Sequence, residues 1–471
     1  MSVLFEPKGY VAADFIPFYY EDQYHLFYLS VPVNAPGEHS PSWRHVVTRD
    51  FVTFEEEGEI IDAPPVPQNE MYTYTGSVIE KDGAFHMYYT GRDSDANEGD
   101  DENDKHPQAV YHAVSHDLQT WEKDDGFKLA AGEGYVPHIW RAPFVFWNPE
   151  ANEYNMLLAA SRKNGAAGHR GCIALASSPD LESWTVQEPF WAPDMFTTHE
   201  SPNLFRLGDW WYLVYTTYDE RRVVHYRMSR TLEGPWRVPD RHALDAGAFY
   251  SAKTAGTDKQ RYCFGWLPNK KGEKDGNPWQ WGGSLIVYEL HQQKDGQLSL
   301  KLPDSLRKHF SRQIEIQPKS ILGDWEIETG SAYTASYERF SALYLGPVPK
   351  TGLLEIELEI SEQTTEAGVL LRADKNLNWY YQLHLDRVTQ RIRLERWPRP
   401  WGDLFTLERA LEIKPKQVIK LQILIDESRM IAFANGTVSL CGRLYENKGD
   451  GLVLYVTEGS ATFHSIRLMT P

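Results

Sequence analysis

Residues 9–30, GYVAADFIPFYYEDQYHLFYLS, contain the arrangement that decides the fold. A single acidic residue, Asp14, lies in an apolar stretch, a polar turn follows, and an aromatic strand begins at Tyr24. Aspartate is depleted in strands, so Asp14 needs either a partner or a chemical role at this position. Because the same arrangement occurs four more times, we interpret it as the unit of an internal repeat.

Five aromatic strands, each preceded by a polar turn, mark the repeat. They begin at Tyr24, Phe85, Tyr154, Trp211 and Tyr262. The first four are each followed by a second alternating strand, a Ser/Asp-type turn and a large aromatic residue. Units of roughly 50 to 70 residues with about four strands are typical of propeller blades. The repeat therefore predicts an N-terminal five-bladed β-propeller over residues 1–302.

The stretch about ten residues before each aromatic strand is predicted to be the innermost strand of its blade. These stretches contain Asp14, Thr75-Gly76-Ser77, Arg141-Ala142-Pro143, Glu200 and Ser251-Ala252-Lys253. Innermost strands line the central channel of a propeller. The pseudo-symmetry is therefore expected to gather two carboxylates and two cations around one funnel.

The repeat stops after residue 302, and the rest of the chain has a different pattern. Residues 303–320 are predicted to be a linker. Eight short alternating runs separated by turn signals follow within residues 321–471 and predict a β-sandwich. Helical periodicity is almost absent, so the whole chain is predicted to be all-β.

Composition restricts the class of partner. The 471 residues carry a net charge of −18, which disfavours nucleic acid and anionic membranes and suits a neutral substrate. The 16 Trp, 26 Tyr and 20 Phe residues supply rings that either stack on sugars or fill a β-rich core. We predict neither a nucleic-acid partner nor a membrane partner. The oligomeric state is left undetermined by the sequence.

The expected compartment is the cytoplasm. The three cysteines match no metal or disulfide spacing, and the N-terminus has no signal-peptide pattern. No apolar run approaches the ~18 residues of a membrane span. The acidic run Asp93–Asp104 lacks the spacing of a calcium loop and is interpreted as a solvated loop. We predict no metal and no cofactor.

Asp14 and Glu200 are the candidate catalytic pair. Cleavage of a glycosidic bond commonly needs one carboxylate at the anomeric carbon and one protonated carboxyl group at the leaving oxygen. Apolar neighbours of Glu200 would favour a protonated acid. The alternative is purely structural: both carboxylates would form salt bridges with Arg141 and Lys253 that join the blades.

Several segments resemble one known family. Residues 14–29, DFIPFYYEDQYHLFYL, resemble the opening motif of glycoside hydrolase family 32, which includes β-fructofuranosidases, invertases and inulinases. Residues 73–78, TYTGSV, are similar to its substrate-binding stretch. Residues 140–147, WRAPFVFW, resemble its Arg-Asp-Pro motif, and residues 199–205, HESPNLF, its Glu-Cys-Pro motif. The similarity continues in order into the C-terminal sandwich.

The resemblance implies roles for individual residues. Asp14 is expected to be the nucleophile and Glu200 the acid/base. Arg141 and the segment Thr75, Gly76 and Ser77 are expected to line the subsite that holds the furanose. Trp43 is expected to be a wall of that pocket.

Three further residues are candidates for substrate binding. His199 lies next to Glu200 in sequence and either tunes that carboxyl group or packs as a ring. Lys253 belongs to the innermost stretch of the fifth repeat. Trp281 either caps the rim of the pocket or belongs to the aromatic core.

The sequence departs from the family at important positions. Position 142 is Ala, so the Arg-Asp-Pro motif has lost its acid, and Ala13, Phe15 and Leu29 also differ from the family pattern. In relatives that Asp holds sugar hydroxyls, and each lost charge-assisted bond is worth roughly 1.5–3 kcal/mol. Ala142 indicates an altered glycone pocket, whether it was introduced to trap substrate, evolved toward another furanoside, or marks a non-catalytic binder.

The leading hypothesis is hydrolysis of a terminal β-fructofuranosyl or similar furanosyl unit from an oligosaccharide, with retention of configuration. Two alternatives stay open. One is an inverting furanosidase, such as an arabinofuranosidase, with Asp14 as base. The other is a sugar-binding propeller without turnover.

Overall fold

The computed structural model describes residues 2–33, 41–61, 73–92, 106–217, 222–335, 339–399 and 407–471. Nearly all regular structure in these ranges is β-strand, which confirms the predicted all-β class. The one α-helix among them, α1 (Asp304–His309), has six residues. No helix in the described ranges has the length and apolar character needed to cross a membrane.

Five antiparallel groups of strands form the N-terminal part, and we number them as blades I to V in chain order. Blade I contains β1 (Tyr10–Tyr20), β2 (Gln23–Pro32), β3 (Ser42–Thr48) and β4 (Glu55–Ile61). Blade II contains β5 (Thr73–Lys81), β6 (Ala84–Arg92), β7 (Gln108–Ser115), β8 (Glu122–Lys123) and β9 (Leu129–Ala130). Blade III contains β10 (Tyr135–Asn148), β11 (Glu153–Arg162), β12 (Gly171–Ser178) and β13 (Thr185–Val186).

The last two blades complete the set. Blade IV contains β14 (Glu200–Leu207), β15 (Trp210–Thr217) and β16 (Val223–Ser229). Blade V contains β17 (Tyr250–Gly256), β18 (Arg261–Lys270), β19 (Trp279–Gln292) and β20 (Leu298–Lys301). Short 3₁₀ helices lie at Ala167–His169 and Lys271–Glu273.

The inner strands of the five blades form a closed ring. Strand β1 contacts β5, β5 contacts β10, β10 contacts β14, β14 contacts β17, and β17 contacts β1 again. Blades V and I are also joined by pairing of β19 with β1 at Gly283 and Ala12. Aromatic side chains fill the spaces between blades: Phe85 of blade II packs edge-on against Phe18 and Tyr20 of blade I. This closed ring is the predicted five-bladed propeller.

All five inner strands have a β-bulge at the same position. Pairing with the next strand skips two residues after Ala13, Thr73, Arg141, Glu200 and Tyr250. We call the first skipped residues the bulge ring: Asp14, Tyr74, Ala142, Ser201 and Ser251. A bulge redirects a side chain out of the regular alternation of a strand. The bulges make Asp14 structurally equivalent to Ala142, and Glu200 equivalent to Arg141.

The C-terminal domain is a sandwich of two antiparallel sheets around an apolar core. One sheet contains β21 (Arg312–Ile314), β23 (Trp325–Glu328), β24 (Ser331–Ala335), β26 (Thr351–Ile360), β31 (Ile419–Asp426), β32 (Arg429–Ala434), β33 (Val438–Arg443) and β35 (Ser460–Thr470). The other contains β22 (Lys319–Leu322), β25 (Phe340–Pro347), β27 (Glu366–Ala373), β28 (Tyr380–Asp386), β29 (Arg391–Trp397), β30 (Leu407–Ala410) and β34 (Gly451–Thr457).

The segment 303–320, predicted to be a linker, contains regular structure. It includes α1 and all of β21, which pairs with β35 of the sandwich, and β22 begins at its end. The sandwich is also fixed to blade V, because the buried Arg443 donates to the carbonyl oxygens of Leu267 and Pro268. These buried contacts show that the sandwich supports the propeller.

Candidate active site

Asp14 lies at the bulge of β1, with a φ of +48°. This left-handed conformation is one that Asp tolerates better than most residues. The indole N–H of Trp266, on β18, donates to Oδ1 of Asp14 at 3.2 Å. Burial raises the pKa of Asp14, while Ser251, Lys253 and Trp266 act to lower it. Burial is the largest of these effects, so the pKa of Asp14 is raised overall, and the three donors offset part of the cost of burying its charge.

Glu200 is held by Arg141 across two adjacent blades. The Nε of Arg141 donates to Oε2 of Glu200 at 2.9 Å, and Nη2 donates to Oε1 at 2.6 Å. The same guanidinium donates through Nη1 to Oε1 of Gln108 at 3.2 Å. Two parallel bonds fix both the position and the plane of the carboxylate. Arg141 thus orients Glu200 and joins blade III to blade IV.

The two carboxylates are electrostatic neighbours. The negative charge of Glu200 raises the pKa of Asp14, although Asp14 belongs to blade I and Glu200 to blade IV. Both members of the Arg141–Glu200 pair are partly exposed to solvent: 21% of the Arg141 side chain and 11% of the Glu200 side chain. The funnel therefore presents a pair of carboxylates to a ligand.

Lys253 is buried, and only 2% of its surface is exposed. Its Nζ donates to Oγ1 of Thr75 and to the carbonyl oxygen of Gly76, both at 2.6 Å. Burial lowers the pKa of Lys253 to about 7, and the charge of Asp14 opposes this change. Lys253 therefore ties blade V to blade II beneath the carboxylates, and its exposed area is too small to make it a main substrate contact.

The segment Thr75, Gly76 and Ser77 also connects blades. Besides the bonds to Lys253, Oγ of Ser77 accepts the backbone N–H of Val145 at 3.0 Å. A Cβ at position 76 would lie 1.9 Å from the carbonyl oxygen of Tyr88, so only glycine fits there. Thr75 and Ser77 are themselves nearly buried. This segment is fixed in place by the propeller before any ligand binds.

Trp43 and His199 do not face the funnel in this structure. Both are 0% exposed. The Trp43 indole N–H donates to the carbonyl oxygen of Tyr74, so the ring supports the Thr75 segment instead of forming a pocket wall. The His199 ring packs among aromatic side chains, and burial lowers its pKa to about 3. For His199 the packed-ring alternative is the one observed.

Ala142 lies at the bulge of β10 and is 1% exposed. Its backbone N–H donates to Oγ1 of Thr90 at 2.8 Å, which anchors the bulge to blade II. Its φ is +54°, close to that of Asp14. The methyl side chain offers no hydrogen bond to a ligand. At this bulge, the charged group from blade III is therefore Arg141, which is paired with Glu200.

Trp281 is an exposed aromatic residue whose ring is close to that of Trp266. It is 42% exposed, and its ring centroid lies 6.5 Å from that of Trp266, which bonds to Asp14. Gly283, two residues further along β19, pairs with Ala12 of β1. Trp281 therefore lies close to the Asp14 side of the funnel, and its position at the pocket rim stays a prediction.

Sequence reasoning missed three polar contributors: Trp266, Ser201 and Gln108. Trp266 was assigned to an aromatic strand of the repeat, where a core role is the usual expectation. Gln108 carries no distinctive motif, and only its contact with Arg141 reveals it. Ser201 lies in the quoted segment HESPNLF, next to Glu200, but only the bulge geometry reveals its contribution.

No metal centre is visible in the part of the chain that the structure describes, because no group of three or more His, Cys, Asp or Glu side chains converges there. The acidic run Asp93–Asp104 lies outside the described residues. The described funnel thus offers carboxylate chemistry: one carboxylate held among donors, and a second one oriented by an arginine.

Comparison with known proteins places the chain in a family. The model of the glycosyl hydrolases family 32 N-terminal domain matches residues 6–301, and that of the C-terminal domain matches residues 326–470. The chain therefore belongs to glycosyl hydrolase family 32, as its motifs predicted. Its class of enzyme is an O-glycosyl hydrolase.

Curated relatives match over almost the whole chain. A sucrose-6-phosphate hydrolase of Escherichia coli is 23% identical, with 94% of this chain and 88% of the relative covered. A raffinose invertase of Escherichia coli is 22% identical, with coverage of 94% and 89%. A levanbiose-producing levanase of Bacillus subtilis is 20% identical, with coverage of 96% and 86%.

Solved structures share the fold. A sucrose-6-phosphate hydrolase from Lactobacillus gasseri superimposes with a TM-score of 0.75 at 18% identity, covering 100% of this chain and 92% of that one. An exo-inulinase from Aspergillus awamori gives a TM-score of 0.75 at 19% identity, with coverage of 99% and 97%. At this level of identity, the likeness establishes the propeller-and-sandwich fold.

Proposed function

We propose that this protein hydrolyses the bond to a terminal β-fructofuranosyl unit of an oligosaccharide and retains the anomeric configuration. The observation that carries the proposal is that Asp14 and Glu200 lie in one funnel, close enough for the charge of Glu200 to raise the pKa of Asp14. Family membership supports the reaction class. The fructosyl or sucrose-derived substrates named for several relatives support the glycone.

In the first step, a carboxylate oxygen of Asp14 attacks the anomeric carbon while the glycosidic bond breaks. Glu200 gives its proton to the departing oxygen, and a covalent glycosyl–Asp14 ester results. In the second step, Glu200 takes a proton from water, the resulting hydroxide attacks the same carbon, and the Asp14 carboxylate is released. Arg141 keeps Glu200 in position through both steps.

The remaining site residues have supporting roles in this proposal. Trp281 provides an exposed ring against which the leaving-group sugar stacks at the rim. Lys253 and the Thr75 segment hold the floor beneath the furanose. Ala142 leaves the glycone without one acidic partner. The three free, buried cysteines (Cys172, Cys263 and Cys441) agree with a reducing compartment, and we propose the cytoplasm.

Sugar binding without turnover is a second candidate, and Ala142 is the observation that favours it. The side chain at this bulge has no polar atom, whereas the equivalent position in blade I holds Asp14. Glu200→Gln distinguishes the two functions. An enzyme loses its rate in this variant, whereas a binder keeps most of its affinity and has no rate to lose.

Release of sugar from a panel of furanosides tests the proposal. The panel contains sucrose, sucrose 6-phosphate, inulin- and levan-type oligosaccharides, difructose anhydrides and arabinofuranosides, tested with this chain and with Ala142→Asp. Cleavage of fructosides by either protein supports the assignment. The assignment is overturned if the proteins cleave only arabinofuranosides, or if neither protein cleaves any member of the panel.

The stereochemical part is tested separately by transfer to methanol. A retaining enzyme converts a β-fructoside into the methyl β-fructoside, because two inversions occur at the same carbon. Formation of the α-anomer as the first product identifies Asp14 as a base that activates the acceptor, and the covalent route then fails.

A further inference from the structure

Three neighbouring members of the bulge ring form a chain that contains one direct hydrogen bond between two serines. Oγ of Ser201, in blade IV, lies 2.7 Å from Oγ of Ser251, in blade V. Ser251 is also next to Asp14, in blade I, because hydrogen bonding from its side chain lowers the pKa of that carboxyl group. The bulges are what bring these residues together, because they occupy equivalent positions in consecutive blades.

The direction of the chain follows from the chemistry of its end. An ionised carboxylate only accepts hydrogen bonds, so Ser251 must donate its single proton to Asp14. The Ser251 oxygen then accepts from Ser201, which donates. Both hydroxyls are almost fully buried, at 3% and 2% exposure, so bulk water does not compete for these bonds. Each bond strengthens the next by polarisation.

We propose that Ser251 and Ser201 are positioning residues for the nucleophile: together they hold the Asp14 carboxylate in its attacking orientation. This inference rests on the proposed function, because it assigns Asp14 the attack on the anomeric carbon. Trp266 completes the arrangement with its N–H on Oδ1 of Asp14. Ala142, the neighbour beyond Ser201, has a methyl side chain and cannot extend the chain on that side.

The electrostatics around Asp14 agree with this role. The charged groups that face it are Lys253 from β17 and Glu200 from β14, the latter paired with Arg141 from β10. Burial and Glu200 raise the pKa of Asp14, whereas Ser251, Lys253 and Trp266 lower it. Removal of the Ser251 hydroxyl therefore takes away a group that favours the charged carboxylate.

Ser251→Ala and Ser201→Ala test the proposal through the pH profile of kcat/KM on a cleaved furanoside. We expect Ser251→Ala to move the acidic limb upward by about one pH unit and to reduce kcat about tenfold, with KM nearly unchanged. Ser201→Ala should shift the acidic limb and lower kcat in the same directions, but by smaller amounts, because Ser201 acts through Ser251. Ser251→Thr, which keeps the hydroxyl, should restore the profile.

The matched control is Ser30→Ala. Ser30 and Ser42 form another buried hydroxyl pair in blade I, with their Oγ atoms 3.3 Å apart, and among the described residues no hydrogen bond joins either of them to Asp14 or Glu200. If Ser251→Ala and Ser30→Ala give the same pH profile and the same kcat, the serine chain is only structural and the proposal is overturned.

A second measurement does not depend on turnover. The Tm is measured for Ser251→Ala in the native protein and in an Asp14→Ala background. The background is expected to fold, because blade III already has alanine at the equivalent bulge position. Coupling predicts that Ser251→Ala lowers Tm clearly in the native protein and much less beside Asp14→Ala. Equal shifts in the two backgrounds overturn the proposal. This result stands even if no furanoside is cleaved and the proposed function fails.

Discussion

Blade I and blade III offer the same backbone to the funnel but different chemistry. Their inner strands have the same two-residue bulge, and Asp14 and Ala142 at its first position have φ values of +48° and +54°. In blade I this geometry presents a carboxylate, and in blade III it presents a methyl group. The repeat of the fold therefore decides where a side chain is displayed, and a single residue choice decides whether that place carries charge.

The largest expected effect comes from removing the charge in blade I. Asp14→Asn keeps the size of the side chain but cannot form the glycosyl ester, so kcat should fall by ~10³-fold or more. Thermal unfolding should change little, because Asn also tolerates the left-handed conformation. Steady-state kinetics on a cleaved furanoside measure the effect. A variant that keeps a tenth of the rate would show that Asp14 is not the nucleophile.

The next effect comes from restoring charge in blade III. Ala142→Asp gives the second bulge a carboxylate that can accept bonds from sugar hydroxyls, and we expect kcat/KM on fructosides to rise by about 10- to 100-fold. Ala142→Asn is the matched control, with the same shape and no charge, and should gain less. Equal rates for all three proteins would mean that position 142 does not contact the glycone.

A third test uses another difference between the same blades. His45 of blade I stacks on His25, whereas the equivalent residue of blade III is Leu175. Burial lowers the pKa of His45 to about 3, so the folded protein keeps this ring neutral. The unfolded chain takes up a proton below pH ~6.5, and stability present above that pH is lost as the pH falls toward 3.

His45→Leu should therefore flatten the acid side of the stability curve. The free energy of unfolding should fall less between pH 7 and pH 5 than in the native protein, by about 2 kcal/mol. Urea unfolding at both pH values measures this difference. Replacement of the exposed His116 is the control. An unchanged pH dependence in His45→Leu would contradict the assignment of acid sensitivity to this pair.

The smallest effect concerns the backbone alone. At a φ of +54° the Cβ of Ala142 is too close to the following carbonyl oxygen, and this steric strain destabilises the fold. Ala142→Gly should therefore raise the free energy of unfolding by about 1 kcal/mol. Ala174→Gly, in a regular strand of the same blade, should lower it by a similar amount. Loss of stability in both variants would mean that the bulge at 142 is not strained.

Much of the architecture could be predicted from the sequence. The spacing of the aromatic strands predicted the propeller, because each blade must repeat the same alternation of inward and outward side chains. The isolated Asp14 was recognisable because an acid in an apolar strand is costly without a function. Glu200 and Arg141 followed from their places in the repeat, and the family assignment is confirmed.

Other predictions failed because burial depends on neighbouring blades. His199 lies next to Glu200 in the sequence, and Trp43 was assigned to the pocket from the family resemblance, but both side chains are completely buried. Lys253 reaches into the interior to Thr75 instead of the open funnel. Trp266 was missed for the opposite reason, since an aromatic residue in an apolar strand is usually core and only the fold shows its N–H bonded to Asp14.

By itself, the sequence determined the number of blades, the all-β class and the positions of the two candidate carboxylates, because side-chain periodicity and an acid in an apolar strand are local features. Only the tertiary structure decided which residues are equivalent around the axis. Each of the five inner strands has the same bulge, and in three adjacent blades this bulge brings Ser201, Ser251 and Asp14 close together. Those contacts join residues from different blades, so no local pattern in the chain contains them.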